Sequence, residues 1–211
     1  GLLAGQKKGL SELFLSGIRR LEKDGPDFTA ADPITVPERY TVFAFSPGDA
    51  DNDGDSDMVV LDDDDRLRLY EDKKELLWKS NAYFGGSETR LTDQKEAIDN
   101  ESRVYLPQRI IVSDINRDGR NEVLTVSNNA VGGRVFQRFR RYSKASFVCL
   151  AWDGLGLSEI WQTNPVSGYA ADFSLADIDN DGEKELAALI VSSRDSILSK
   201  PKSAVIYYEI N

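Results

Sequence analysis

Histidine is absent from this chain of 211 residues, and cysteine and methionine each occur once. The lack of histidine removes the usual zinc ligand and the usual general base. A single cysteine, Cys149, rules out an intramolecular disulfide framework. It stands in the apolar run Phe147-Val148-Cys149-Leu150, which predicts a buried, inert thiol. No apolar run approaches the roughly 20 residues that a membrane-spanning helix needs, and the opening residues carry no signal-peptide pattern. G-x-S-x-G and P-loop motifs are missing too, so the sequence points away from catalysis. Basic charge is in deficit: 26 Lys and Arg stand against 36 Asp and Glu, for a net charge of −10. A protein that grips a phosphate backbone needs a basic surface, so nucleic acid is not an expected partner.

The acid is concentrated rather than spread. Three stretches read D-A-D-N-D-G-D-S-D from Asp49, D-I-N-R-D-G-R-N-E from Asp114 and D-I-D-N-D-G-E-K-E from Asp177. From 49 to 114 and from 114 to 177 the steps are 65 and 63 residues, which marks an internal repeat. Each stretch runs into an apolar segment, beginning at Met58, Val123 and Leu186. At positions 1, 3, 5 and 9 the loops hold eleven carboxylates: Asp49, Asp51, Asp53, Asp57, Asp114, Asp118, Glu122, Asp177, Asp179, Asp181 and Glu185. Three divalent cations would bring the net charge from −10 to −4.

Between the acidic stretches the pattern is that of short strands and turns. Ile18–Glu22 and Phe28–Val36 flank the turn Lys23-Asp24-Gly25-Pro26. Leu67–Tyr70 and Leu76–Trp78 flank Glu71-Asp72-Lys73-Lys74, and Val148–Trp152 and Leu157–Gln162 flank Asp153-Gly154. For residues 1–17 a strand at Leu13-Phe14-Leu15 is favoured over an amphipathic helix, because a hairpin follows. The repeat unit is therefore two hairpins: strand, acidic loop, strand, then strand, short turn, strand. Four short strands repeated at this spacing are what a β-propeller blade requires. The expected fold is all-β, with blades of four antiparallel strands. A partial unit at about 18–37 precedes units at about 38–81, 108–164 and 168–210, within a single propeller or propeller segment spanning 1–211. Insertions at 82–105 and 127–146 are polar and are expected as exposed loops. Three units and a partial one are few for a closed ring, so either further blades lie in a longer chain, or the repeat packs in an open or partner-completed form. The abrupt first and last residues likewise suggest a fragment or processed product.

Calcium takes six to eight oxygens at about 2.3–2.6 Å. A tight loop can supply them from side chains at positions 1, 3 and 5: Asp49, Asp51 and Asp53; Asp114, Asn116 and Asp118; Asp177, Asp179 and Asp181. Position 6 turns sharply, hence Gly54, Gly119 and Gly182. Position 7 offers only its backbone carbonyl, so Asp55, Arg120 and Glu183 can differ in charge. Position 9 returns a carboxylate from Asp57, Glu122 or Glu185. An EF-hand or dockerin loop begins alike, but it needs an acid at position 12 and a helical exit. Here position 12 is Val60, Thr125 or Ala188, and the exits are β-rich. Thrombospondin-type repeats need cysteines that this chain lacks. A lone Asp/Asn/Gly turn is as readily a solvated turn, but three at repeat spacing with an acid at position 9 favour calcium, with about three sites. The second loop, with Asn116 and fewer carboxylates, is expected to bind most weakly.

The loops and the strand after each resemble the FG-GAP/VCBS repeat, the calcium-loop blade of integrin α-subunit propellers and of many bacterial surface proteins. The Phe-Gly and Gly-Ala-Pro elements of the eukaryotic form are missing, so the resemblance is to the bacterial variant. It implies a seven-bladed type of propeller, structural calcium, and an extracytoplasmic scaffold (periplasmic, outer-membrane or cell-surface) for protein or glycan binding. The alternative is the carbohydrate-recognition part of a polysaccharide-degrading enzyme.

Other features read more plainly. Arg134, Arg138, Arg140, Arg141 and Lys144, interleaved with Phe136, Phe139 and Tyr142, read as an inserted strand pair with its bases outward, or else as a docking patch for an acidic partner, a polysaccharide or a membrane surface. Asp62 to Asp65 form a turn between strands rather than a further cation site. Trp78, Trp152 and Trp161 recur at repeat positions, which favours packing over sugar stacking. Asn100-Glu101-Ser102 is a formal glycosylation sequon.

Overall fold

The computed structural model describes residues 3–9, 12–37, 40–71, 75–92, 103–131, 140–192 and 202–210. Its secondary structure there is entirely β, with no helix among the described residues. Strands β1 (Ala4–Gln6), β2 (Ile18–Asp24) and β3 (Asp27–Ile34) form one antiparallel sheet. Strands β4 (Phe45–Gly48), β5 (Asp57–Leu61), β6 (Leu67–Glu71) and β7 (Glu75–Lys79) pair in chain order as a second. The short pair β8 (Arg90–Thr92) and β9 (Arg103–Tyr105) follows. The next sheet is β10 (Ile111–Ser113), β11 (Glu122–Ala130), β12 (Tyr142–Trp152) and β13 (Leu157–Gln162), with β14 (Val166–Ser167) added to β12. The last is β15 (Tyr169–Ala176), β16 (Glu185–Val191) and β17 (Ser203–Tyr208). Among the described residues the sheets do not close into a barrel or ring.

Successive residues of a strand point to opposite faces, and here the two faces meet different neighbours. In β5, Met58 and Val60 pack with Tyr70 against Ile34, Val36, Tyr40 and Phe45. Val59 and Leu61 turn the other way, onto Val123, Val148 and Leu150 of the next sheet. In that sheet Leu124, Val126, Phe147 and Cys149 face onward, onto Phe173, Leu186, Ala188 and Ile190. A strand covered on both faces needs apolar residues at every position, which is why these segments read as unbroken apolar runs. Val59, Val60, Val123 and Leu124 have no exposed surface, and each such burial contributes about 1.5–3 kcal/mol. Trp78, Trp152 and Trp161 are partly buried against these cores, as packing residues. Cys149 is buried and free, and burial pushes its thiol up to about 12, so it is unreactive at neutral pH.

Three expectations need correction. The first strand is Ala4–Gln6, not Leu13-Phe14-Leu15. Leu15 instead lies in an irregular return held by Gln6 Nε2 donating to its carbonyl at 2.7 Å, while Phe14 meets Phe43 edge-on at 5.9 Å. The insertion at 82–105 is not wholly exposed, because Phe84, Gly85, Gly86 and Ser87 are buried. Gly85 forms a parallel bridge to Ser127, and a Cβ there would lie 2.3 Å from Leu61; a Cβ on Gly86 would lie 2.7 Å from the Tyr142 ring. The wedge is also polar on one side. Gln108, only 3% exposed, donates to Gly86 O, Tyr169 Oη and Ala170 O at 3.1–3.2 Å, and Asn128 donates to Gly86 O and Ala170 O. The insertion at 127–146 is likewise not an exposed loop throughout. Ser127–Ala130 and Tyr142–Ser146 extend the β11–β12 ladder, where Tyr142, Ala145 and Ser146 are buried. Arg134, Phe136, Arg138, Phe139 and the sequon Asn100-Glu101-Ser102 lie outside the described residues.

Candidate metal centres in the acidic loops

Each acidic stretch is the connection between the first two strands of a sheet: β4 to β5, β10 to β11, and β15 to β16. The three share one internal hydrogen-bond pattern. The position-1 carboxylate accepts the N–H of the position-6 glycine: Asp49 from Gly54 at 3.1 Å, Asp114 from Gly119 at 3.0 Å, Asp177 from Gly182 at 3.1 Å. Position 3 accepts from the N–H of position 5, where Asp51 takes Asp53, Asn116 takes Asp118, and Asp179 takes Asp181. Position 5 accepts from the N–H of position 7, so Asp53, Asp118 and Asp181 bind Asp55, Arg120 and Glu183 at 2.7–2.9 Å. The position-9 carboxylate, the first residue of the following strand, accepts from position 2. Asp57 takes Ala50 at 2.9 Å, Glu122 takes Ile115 at 2.8 Å and Glu185 takes Ile178 at 2.6 Å. The glycines have φ of 88–100°, a left-handed conformation that a Cβ disfavours.

This wiring engages one oxygen of each carboxylate. Glu185 is 1% exposed, yet its Oε1 accepts no hydrogen bond, and the buried Oδ1 of Asp49 accepts none either. A buried oxygen without a donor is costly, and a cation is the partner that an acceptor-only group lacks. Carboxylate oxygens of Asp49, Asp51 and Asp53, and of Asp177, Asp179 and Glu185, lie within 4.8 Å of one another, so two acidic groups can hold a metal ion. The donor set is all oxygen, which suits a hard cation. Burial pushes the Asp57 carboxyl up to about 6 and also raises Glu122 and Asp51, with the neighbouring loop carboxylates adding a smaller push in the same direction. In the second loop Asn116 Nδ2 donates to Asp118 Oδ2 at 3.1 Å, so part of that loop's acceptor capacity is already used.

The remaining acidic turn has a different purpose. Asp62 accepts the N–H groups of Asp64 and Arg66 at 3.0 and 2.9 Å and pairs with Arg68 Nε at 2.7 Å, so its oxygens anchor a turn and a strand. Arg109 makes a two-pronged ion pair with Asp172 at 2.9 and 3.0 Å, tying the approach to β10 to β15.

Several residues at the loops carry no obvious signal in sequence. Asn52, at position 4 of the first loop, accepts the N–H of Asn121 at 2.6 Å and donates to its carbonyl at 3.2 Å. Asn121 Nδ2 donates back to Asp49 O at 2.8 Å. Arg117, at position 4 of the second loop, pairs with Glu183 and donates to Gly182 O at 3.3 Å. Glu209, after β17, titrates higher through desolvation and then the charges of Glu185, Asp179 and Asp181, which places a further acid near the third loop. Tyr70 and Tyr208 hold equivalent register positions, opposite Met58 and Leu186, and each is followed by a glutamate.

No protein-family model matches the chain, and no curated protein matches it either. Among the described residues no helix is long and apolar enough to cross a membrane.

Proposed function

We propose that this chain is a non-enzymatic, calcium-stabilised β-propeller module of the FG-GAP/VCBS kind. It acts outside the cytoplasm as a scaffold for protein or glycan binding. Calcium is structural: held by positions 1, 3, 5, 7 and 9 of each loop, it clamps the turn between the first two strands of a sheet. The observation that carries this reading is Glu185 Oε1, buried and unpartnered beside Asp177 and Asp179. An all-oxygen loop with such an acceptor gains most from a hard cation, and binding to the folded loop alone converts directly into folding stability. The stacking of consecutive sheets through shared cores supports the propeller-type arrangement, since each sheet depends on its neighbours for burial.

Titration of the protein with calcium by isothermal calorimetry tests the reading. Saturable heat is expected from two or three sites, with the weakest belonging to the second loop and lost in Asp118→Ala. No heat at millimolar calcium would rule calcium out.

A further inference from the structure

Position 4 of the acidic loops is not a ligand position, yet it has the same unusual backbone in all three. Asn52, Arg117 and Asn180 each have φ of 64°. The side chain at this position leaves its own loop in Asn52 and in Arg117. In the first two loops that side chain lands on the next loop along the chain: Asn52 on position 8 of the second loop, and Arg117 on positions 6 and 7 of the third.

We infer that Asn52 and Arg117 are positioning residues for the neighbouring loop, so that cation capture is coupled from the first loop to the second and from the second to the third. The inference rests on the calcium reading of the loops. Asn52 satisfies both backbone groups of Asn121, the residue immediately before Glu122, and Glu122 closes the second loop through Ile115. The contact runs both ways, because the Asn121 amide holds the carbonyl of Asp49, the position-1 residue of the first loop. A cation that orders Asp49 and Asp53 on either side of Asn52 therefore orders the frame on which Glu122 stands. By thermodynamic linkage, filling the second loop strengthens the first by the same factor.

The second link has a different chemistry. Arg117 reaches positions 6 and 7 of the third loop, through the carbonyl of Gly182 and the carboxylate of Glu183. Its pair with Glu183 is half exposed on both sides, with side-chain exposures of 56% and 53%. Such a pair is screened by salt, whereas the neutral amide contacts between Asn52 and Asn121 are not. The two links should thus separate by ionic strength: coupling of the first to the second loop persists in high salt, and coupling of the second to the third fades.

The test is a calcium titration of the whole chain followed by NMR, using the amide signals of Gly54, Gly119 and Gly182 as one reporter per loop. Asn52→Gly deletes the amide while keeping a residue that tolerates the left-handed backbone. It is expected to move the Gly119 midpoint to about fivefold higher calcium or more, the low end of coupling between linked sites. Asp49→Asn, which cripples the first loop, should move the Gly119 midpoint by a similar factor. Combining the two should add little further, because both break the same link. Arg117→Gly should move the Gly182 midpoint at low salt only, and it supplies a second reading if Asn52→Gly fails to fold. An unmoved Gly119 midpoint in Asn52→Gly, or shifts that simply add in the double variant, would overturn the inference. Failure of all three glycines to respond to calcium in the unaltered chain would instead overturn the calcium reading on which it rests.

Discussion

Replacing Glu185 by glutamine separates a metal ligand from an ordinary buried acid, because its effect on stability should depend on calcium. In the chain as it stands, Oε2 accepts the Ile178 N–H and Oε1 is buried without a donor beside Asp177 and Asp179. Glutamine keeps one oxygen for Ile178 and turns the other group into an N–H donor aimed at those carboxylates. In chelator this removes an unsatisfied buried acceptor and a source of like-charge repulsion, a gain of about 1–3 kcal/mol. For a chain of this size that is a rise in melting temperature of several degrees, at roughly 2–4 °C per kcal/mol. With calcium at one hundred times its dissociation constant, a single site stabilises by about 2.7 kcal/mol. Glu185→Gln forfeits most of that contribution, so its calcium-induced rise in melting temperature should be smaller than that of the unaltered chain by roughly 5–11 °C. Differential scanning calorimetry in chelator and in saturating calcium reads both arms. If Glu185→Gln lowers the melting temperature equally in both, Glu185 is a structural acid and the account of the third loop is wrong.

Two predictions concern the packing that positions the loops. Phe147 has no exposed surface and meets Phe173 edge-on at 5.5 Å across the boundary between the last two sheets. Phe147→Ala should cost about 3–5 kcal/mol in chemical denaturation, with or without calcium; a cost below 1 kcal/mol would mean the sheets do not share a core. Asp172 is held below the usual carboxylate range by hydrogen bonding to Arg109. A depressed acid contributes stability above its unfolded pKa and loses it as pH falls through the folded value. The pair is about half exposed, so its contribution is at most about 1 kcal/mol. Asp172→Asn should therefore flatten the stability profile below about pH 4 and change little at neutral pH, as followed by urea denaturation across pH.

The acidic loops were legible because their chemistry is local: an alternation of oxygen donors, a glycine at the sharp turn and an acid at position 9 fit within nine residues. The hairpins around Lys23–Pro26 and Asp153-Gly154 were legible for the same reason, with turn residues between apolar runs. What escaped was non-local. Phe84-Gly85-Gly86-Ser87 read as the start of a polar insertion, but the two glycines let the backbone press against Leu61 and Tyr142, residues far away in sequence. The first strand was misplaced because Ala4–Gln6 is too short and too small to show a period, while Leu13-Phe14-Leu15 is conspicuously apolar. The contacts of Asn52 with Asn121 and of Arg117 with Glu183 join loops more than sixty residues apart, and nothing near either residue announces its partner.

The central claim is that calcium in these loops is part of the fold, and the most direct measurement is the melting temperature of the unaltered chain in chelator and in saturating calcium. Two or three sites at about 2.7 kcal/mol each predict a rise of roughly 10–30 °C with calcium. That rise should be reversed by chelator and should not be reproduced by monovalent salt of equal ionic strength. Identical melting in the two conditions would contradict the claim.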